Sequence, residues 1–484
     1  MQQMKQEYLW YFQKGGHSDI NMKDYSRYTS PFSWRYGSDK MRQIFSEENK
    51  YILWRKIWVE LARAQNKEGL VSKEELADLE KNQENIDIER IWEIEKDTRH
   101  DVVAAIKEFA QKAKIGGGKI HLGATSMDVS DNAETIRISE ALNLVESELV
   151  KLLKVFGEKI EKYADFVCMG YTHLQPAEPT TLGYRFAFYA QDLILDLEFL
   201  EFVKKNLKGK GMKGAVGTSA SYVKLLDLRK AEEMELEVLG ELGVEAAAVT
   251  NQTTPRKIEF WLGSLLASIS QSLYKFAFDL RVMQSSGFGE WQEYFGDKQI
   301  GSSAMPFKKN PILSEKICSL ARLVVSLSRV MWDNAAHTLL ERTLDDSANR
   351  RIAMPEMFLA IDEMLVSADA IVEGLTINDK RITKNLETFW PFSASEAILI
   401  EAVKKGANRQ KMHEILREIS MEAWQEMHSG RENPMESLLL QNSEIGRYLK
   451  PAEIKKILDA KNHIGNAKEK ALTIVKKIDN LKSQ

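Results

Sequence analysis

AETIRISEALNLVESELVKLLKVFGEKIEKYAD, residues 133–165, places apolar side chains at Leu142, Val145, Leu149, Leu152, Phe156, Ile160 and Tyr163, in steps of three and four. Such spacing lines one face of an α-helix, in which about 3.6 residues make a turn. At about 1.5 Å of rise per residue the run is on the order of 45 Å long. The pattern returns over 180–205 through Leu182, Phe186, Tyr189, Leu193, Leu197, Leu200 and Val203. It returns again over 256–284 through Ile258, Leu262, Leu265, Ile269, Leu273, Phe276, Leu280 and Met283. Three-and-four spacing sustained over such lengths predicts helices packed side by side at shallow angles. The expected fold class is therefore all-α, with a central bundle of long helices, and the ten prolines leave room for them.

Composition narrows the class of molecule. The 484 residues are 44% hydrophobic and 29% charged, enough for a large core and two or three domains. Lysines and arginines number 67 against 71 acids, a formal charge of −4. No global field then favours nucleic acid or an anionic membrane, and neither is expected as a partner. An anionic substrate must be gripped by local cations. Cys168 and Cys318 stand too far apart in sequence for a metal knuckle and too few for a disulfide framework, so a reducing, cytoplasmic setting is expected. No apolar run approaches the roughly 20 residues of a membrane span, and the N-terminus lacks a secretory leader pattern. Residues 1–22, with Gly15, Gly16 and His17 among them, read as an N-terminal extension.

Glycine-rich or hydroxyl-rich breaks interrupt the helical text at 116–118, 209–217, 250–255 and 287–311. Loops on a rigid scaffold are where binding groups collect. Three domains are expected: a helical one over 1–125, the long-helix bundle over 126–378, and a second smaller helical one over 379–484.

Four polar stretches carry candidate chemistry. The first, GSSAMPFKKNP at 301–311, is too polar and proline-broken for a helix, and Gly287 and Gly289 upstream would let it move as a lid. A generic Gly-Ser-Ser followed by lysines reads as a surface turn. The second, THLQPAEPTT at 172–181, precedes a long helix that begins with hydroxyls, so His173 sits in a loop beside a positive helix end. Imidazole titrates near working pH and suits an acid role, although a loop histidine alone is more often structural. The third pairs TRHDVV at 98–103 with HLGATS at 121–126; either alone is a helix surface or a turn. The fourth, ERTLDDSANRR at 341–351, holds three arginines. As a bare charge run it is a solvated face, yet arginine is the side chain best shaped to grip phosphate or carboxylate with two donors.

Taken together, and in their order along the chain, the four stretches resemble the fumarase/aspartase superfamily and, within it, the adenylosuccinate lyases of the eukaryotic-like branch. The likeness runs from about residue 26 past Arg351 and more loosely through 406–417. It implies that Ser302 is the base that takes a proton from the carbon next to a carboxylate. Lys308, Asn310 and backbone amides of the loop would then hold the resulting aci-carboxylate. His173 is implied as the general acid. Glu315 matches the acidic partner of that histidine, although a glutamate at a helix start also has a dipole explanation. Arg99, His100, Asp101, Thr125 and Ser126 are implied to bind substrate, with His100 and His121 supporting the acid and the charge balance. Arg342, Ser347 and Arg351 would contact the nucleotide. Arg35 and Tyr36, following Ser30-Pro31, complete the binding set with Gln252 and Lys316. Lys309 and Lys316 depart from the pattern where related sequences carry arginine, keeping the charge but losing the planar fork.

The reaction implied is cleavage of adenylosuccinate to AMP and fumarate, and of SAICAR to AICAR and fumarate, without a cofactor. The implied assembly is a homotetramer built on the long helices, each active site drawn from three subunits. An argininosuccinate lyase is the alternative within the superfamily, against which the arginines of 99 and 342–351 favour a phosphorylated substrate. A non-catalytic structural relative is the alternative outside it. His17, His337, His413, His428 and His463 match no motif, and no metal site is expected, because no ligand pair finds a supporting third ligand.

Overall fold

The computed structural model describes residues 26–481; the extension at 1–22, with His17, lies outside the described residues. The chain is all-α as expected, with eighteen α-helices and only two short two-stranded sheets among the described residues. It divides into two compact units: Met1–Leu149 with Leu195–Leu273 and Ile317–Val366, and Val150–Ile194 with Tyr274–Lys316 and Ser367–Gln484.

In the first unit, short helices precede the long ones: α1 (Asp39–Ile44), α2 (Glu47–Lys67), α3 (Lys73–Lys81), α4 (Ile88–Thr98) and α5 (Asp101–Lys112). Side chains start each of them. Ser38, Ser46, Ser72 and Asp87 accept amides of the first turn, and Ser72 with Glu75 forms a reciprocal capping box. The core joins Trp54, Ile57, Trp58 and Phe109 to Met212, Tyr222 and Val238, the last two on α8 (Ala220–Leu225) and α9 (Leu228–Leu242). Inside it Arg55 pairs with Glu108, both nearly inaccessible.

Five long helices supply residues to both units: α6 (Ser126–Lys162), α7 (Leu182–Asn206), α10 (Arg256–Gln284), α11 (Ile312–Ala336) and α12 (Ser347–Gly374). The bounds of α10 are those read from the apolar stripe. The other two anticipated helices shift: α6 begins seven residues earlier than 133, and α7 begins at Leu182 because the preceding residues pair as a strand. Pro355 lies inside α12, where it removes one backbone bond; buried Met354, Met357 and Phe358 around it keep the helix packed.

The second unit contains the hairpin of β1 (Val167–Thr172) and β2 (Gln175–Thr181), then β3 (Trp291–Gln292) paired with β4 (Thr376–Ile377). Phe156, Phe186, Phe276 and Trp291 pack edge-to-face or stacked beneath them. The chain ends in α13 (Asp379–Lys404), α14 (Arg409–His428), α15 (Met435–Gln441), α16 (Ser443–Gly446), α17 (Pro451–Ile457) and α18 (Ala467–Asn480). Ile398, Leu416, Ile419 and Leu439 head a separate apolar cluster there. No described helix is long and apolar enough to cross a membrane.

Candidate active site

The first unit gathers one set of the anticipated residues onto neighbouring loops. Arg99 ends α4 in a left-handed conformation, and His100 then caps α5, its Nδ1 accepting the Val103 amide at 3.4 Å. Beside it, Asp101 accepts from Arg351 at 2.6 Å, across 250 residues of sequence. Burial opposes ionisation of Asp101, yet the Arg351 guanidinium and the Val102 amide outweigh it and hold the carboxyl below its usual range.

Asp128 organises the next loops. From the first turn of α6 it accepts the Thr125 amide at 3.0 Å, the Lys213 amide at 3.2 Å, the Gly214 amide at 3.1 Å and the Tyr222 hydroxyl at 3.3 Å. Lys210, fully buried, forms an ion pair with the same carboxylate. Thr125 and Ser126 are thereby tied to the 209–217 segment. A Cβ at Gly217 would stand 1.9 Å from the Thr250 carbonyl, so only glycine permits that approach. The 250–255 loop is bound in turn to the arginine stretch, for the Gln252 amide donates to the Glu341 carbonyl at 3.1 Å.

Arg342 is already committed in part: it donates to Asp346 at 2.7 Å, and Asp346 also accepts from the buried Arg256 at 2.7 Å. A guanidinium has five donors, so this pairing fixes its direction and leaves further N–H groups for another acceptor. Ser347 opens α12.

The Arg35 guanidinium lies 5.7 Å from the ring centroids of both Trp34 and Tyr36. Its turn is pinned to α12: the Gly37 amide donates to Glu363 at 3.0 Å, the Ser38 amide donates to Asp362, and the Ser30 hydroxyl donates to Glu356 at 3.2 Å. Arg42 clamps the Tyr36 and Gly37 carbonyls at 3.0 and 2.7 Å. Burial pushes the Asp362 carboxyl up to about 6, against the bonds from Ser38. An acid whose folded pKa is raised favours the native state below its unfolded value, and that contribution is lost as pH rises through 6. Asp362→Asn keeps an acceptor for Ser38 but no buried charge. It is expected to stabilise the protein by about 1–3 kcal/mol at pH 7.5 and by roughly half as much at pH 5, where the interval between the unfolded and folded values is only partly crossed. Thermal unfolding at the two pH values checks this; equal melting shifts at both would contradict it.

The second unit carries the groups implied for the chemistry. His173 and Leu174 are the two central residues of the β1–β2 turn, with φ of 54° and 59°. Two positive φ values are what a type I′ connection needs, normally from Asn-Gly, so a histidine here holds strain that the flanking strands impose. The expected loop is therefore a hairpin tip, and it leaves His173 exposed. Below it, buried Glu290 accepts the Tyr171 hydroxyl at 2.8 Å and Asn385 at 3.0 Å, and pairs with Arg185 at 3.3 Å. The helix that follows is hydroxyl-capped as anticipated, Thr181 Oγ1 accepting the Tyr184 amide at 3.1 Å.

The 301–311 loop is irregular, as its composition requires. Ser302 Oγ accepts the amides of Met305 at 3.0 Å and Ala304 at 3.3 Å. Asn310 donates to the Gly301 carbonyl at 2.7 Å, and a Cβ at Gly301 would meet the Lys308 carbonyl at 2.0 Å. At the loop's base Gln284 donates to the Lys309 carbonyl at 2.9 Å and accepts the Glu293 amide at 3.0 Å. Glu293 caps α11, receiving the Ser314 amide and hydroxyl at 2.6 Å each. Lys308 is exposed, Glu315 lies in the first turn of α11, and Lys316 follows it. No hydrogen bond or ion pair joins His173 to Ser302 or Glu315 among the described residues.

Two contributors escaped the sequence reading. Asp128 stands two residues beyond the HLGATS stretch, and its position in a first helical turn was the available signal. Trp58, whose indole donates to Nδ1 of the anticipated His121 at 3.0 Å, was hidden because an indole on an apolar helix face reads as core.

Residues 34–326 match the family model described as lyase, and residues 391–471 match that of the adenylosuccinate lyase C-terminus. An adenylosuccinate lyase from Schistosoma mansoni is 38% identical over 457 residues, covering 93% of this chain and 94% of that protein. The crystal structure of a fumarate lyase from Mesorhizobium sp. BNC1 has a TM-score of 0.81 at 22% identity, covering 93% of this chain and 99% of that one. A 3-carboxy-cis,cis-muconate lactonizing enzyme from Pseudomonas putida also reaches 0.81, at 23% identity and 92% and 98% coverage. At these identities the structures speak for the fold alone, and they differ in the reaction their names state. The family model and the curated relatives define the class, an enzyme of the lyase type that breaks a C–N bond. Within that class the chain belongs to the adenylosuccinate lyase family.

Proposed function

We propose that the protein cleaves adenylosuccinate to AMP and fumarate, and SAICAR to AICAR and fumarate, by a general-base and general-acid elimination. The observation that carries this reading is Ser302 Oγ receiving two backbone amides in a loop that also bears Lys308. A serine hydroxyl is a weak base, and amides aimed at its oxygen lower the cost of the alkoxide.

Ser302 takes the proton from the succinyl carbon next to the carboxylate. The electron pair enters that carboxylate, giving an aci dianion that Lys308 and the loop amides stabilise. Collapse forms the fumarate double bond and breaks C–N, and the nitrogen receives a proton from His173. Arg35, Arg99, Arg342 and Arg351 supply the cations for phosphate and carboxylate, with Thr125, Ser126, Gln252 and Ser347 as neutral donors. Glu315 orients the acid, Asn310 braces the loop, and Lys316 adds positive charge near it. No step requires an organic cofactor.

We further propose a homotetramer with sites shared among three subunits, in the cytoplasm. Support comes from α7, where Tyr184, Phe188, Leu195 and Phe202 recur at heptad-like spacing and are 43 to 56% exposed. The exposed position of His173 on a hairpin tip suits donation to a neighbouring subunit. Mixing the inactive variants Ser302→Ala and His173→Asn under conditions of subunit exchange should restore part of the activity on adenylosuccinate and on SAICAR. Full inactivity of the exchanged mixture would refute shared sites.

A further inference from the structure

We propose that Trp58 is a positioning residue that fixes His121 as an Nε2–H tautomer, so that His121 meets an anionic oxygen of the substrate as a neutral hydrogen-bond donor. The substrate named here rests on the function proposed above; the tautomer does not.

The argument begins with the indole. Trp58 Nε1 lies 3.0 Å from His121 Nδ1. An indole nitrogen only donates, so Nδ1 must offer its lone pair. A neutral imidazole carries one proton, which then resides on Nε2. The opposite tautomer would oppose two N–H groups, and the cation would do the same.

Trp58 is well placed to impose this choice. It is 2% exposed, edge-on to Trp54 at 6.2 Å and against Phe109 at 6.3 Å, so its ring cannot turn away. Two helical turns later on the same face of α2, Gln65 donates to the Leu122 carbonyl at 2.9 Å and holds the backbone beside the histidine. His121 itself is left-handed, at φ 70°. A non-glycine residue in that region persists only where its surroundings over-determine it.

Electrostatics agree with the geometry. Burial pushes the His121 imidazole down to about 4; Asp128 opposes this and His100 reinforces it. His121 is therefore uncharged at neutral pH, and its role in charge balance becomes one of directed donation. A neutral donor binds an anion without titrating across the working pH range.

The test reads the tautomer directly. Magic-angle-spinning NMR of the full-length protein labelled with nitrogen-15 at histidine, assigned by difference from His121→Asn, should show an unprotonated Nδ1 and a protonated Nε2 at pH 7. Trp58→Phe keeps the apolar ring and removes the donor. That variant should raise KM for adenylosuccinate roughly tenfold or more with kcat within a few-fold. In that variant the nitrogen-15 spectrum should show a protonated Nδ1 fraction that the wild-type protein lacks. A protonated Nδ1 in the wild-type protein overturns the proposal whether or not the variant folds. An unchanged KM and tautomer in a folded Trp58→Phe protein overturns it equally. Failure of the wild-type protein to turn over adenylosuccinate would instead refute the proposed function and leave the tautomer to the NMR result.

Discussion

Ser302→Ala is expected to lower kcat on adenylosuccinate on the order of a thousandfold or more, with thermal unfolding unchanged. The size follows from the task. A proton beside a carboxylate is weakly acidic, and without a positioned base only solvent remains to remove it. The stability expectation follows from the contacts: Ser302 is only part-buried, and its hydroxyl serves the amides of Ala304 and Met305 within an exposed turn. Those amides can turn to water, so the loss should fall on chemistry and leave KM nearly unchanged. Steady-state kinetics with a melting curve on the same sample checks both halves. Residual activity within tenfold of wild type would remove Ser302 from the role of base.

His173→Asn is the second large effect, with kcat expected to fall by about 10² to 10⁴. Its stability should move the other way. At φ 54° a histidine is strained, whereas asparagine is among the side chains that best tolerate left-handed backbone. The variant should unfold at an equal or slightly higher temperature while losing the acid that protonates the departing nitrogen. Added imidazole should recover part of the rate, because loss of the ring leaves room for a diffusible acid of the same chemistry. A stable variant that retains full kcat would assign the proton to another donor.

These two residues also mark what a reader of the sequence can and cannot find. The long helices were legible because their apolar residues keep one period over dozens of positions, and the bounds of α10 follow directly from that stripe. The His173 hairpin was read as a loop because its turn is His-Leu, with none of the Asn-Gly text that normally announces a type I′ connection. Strand pairing here overrides local preference. The loop at 301–311 could be located from composition, but the direction of its amides onto Ser302 Oγ could not. Asp128 and Trp58 were invisible for a different reason. Each acts through contacts with segments tens of residues away, at Lys210 to Tyr222 and at His121, and no local pattern encodes those meetings.

The most direct test of the central claim is to incubate the purified wild-type protein with adenylosuccinate and follow the mixture by proton NMR. The account predicts fumarate and AMP appearing in equal amounts as the succinyl signals disappear, with no added metal or cofactor. Unchanged adenylosuccinate, together with fumarate release from argininosuccinate, would contradict it.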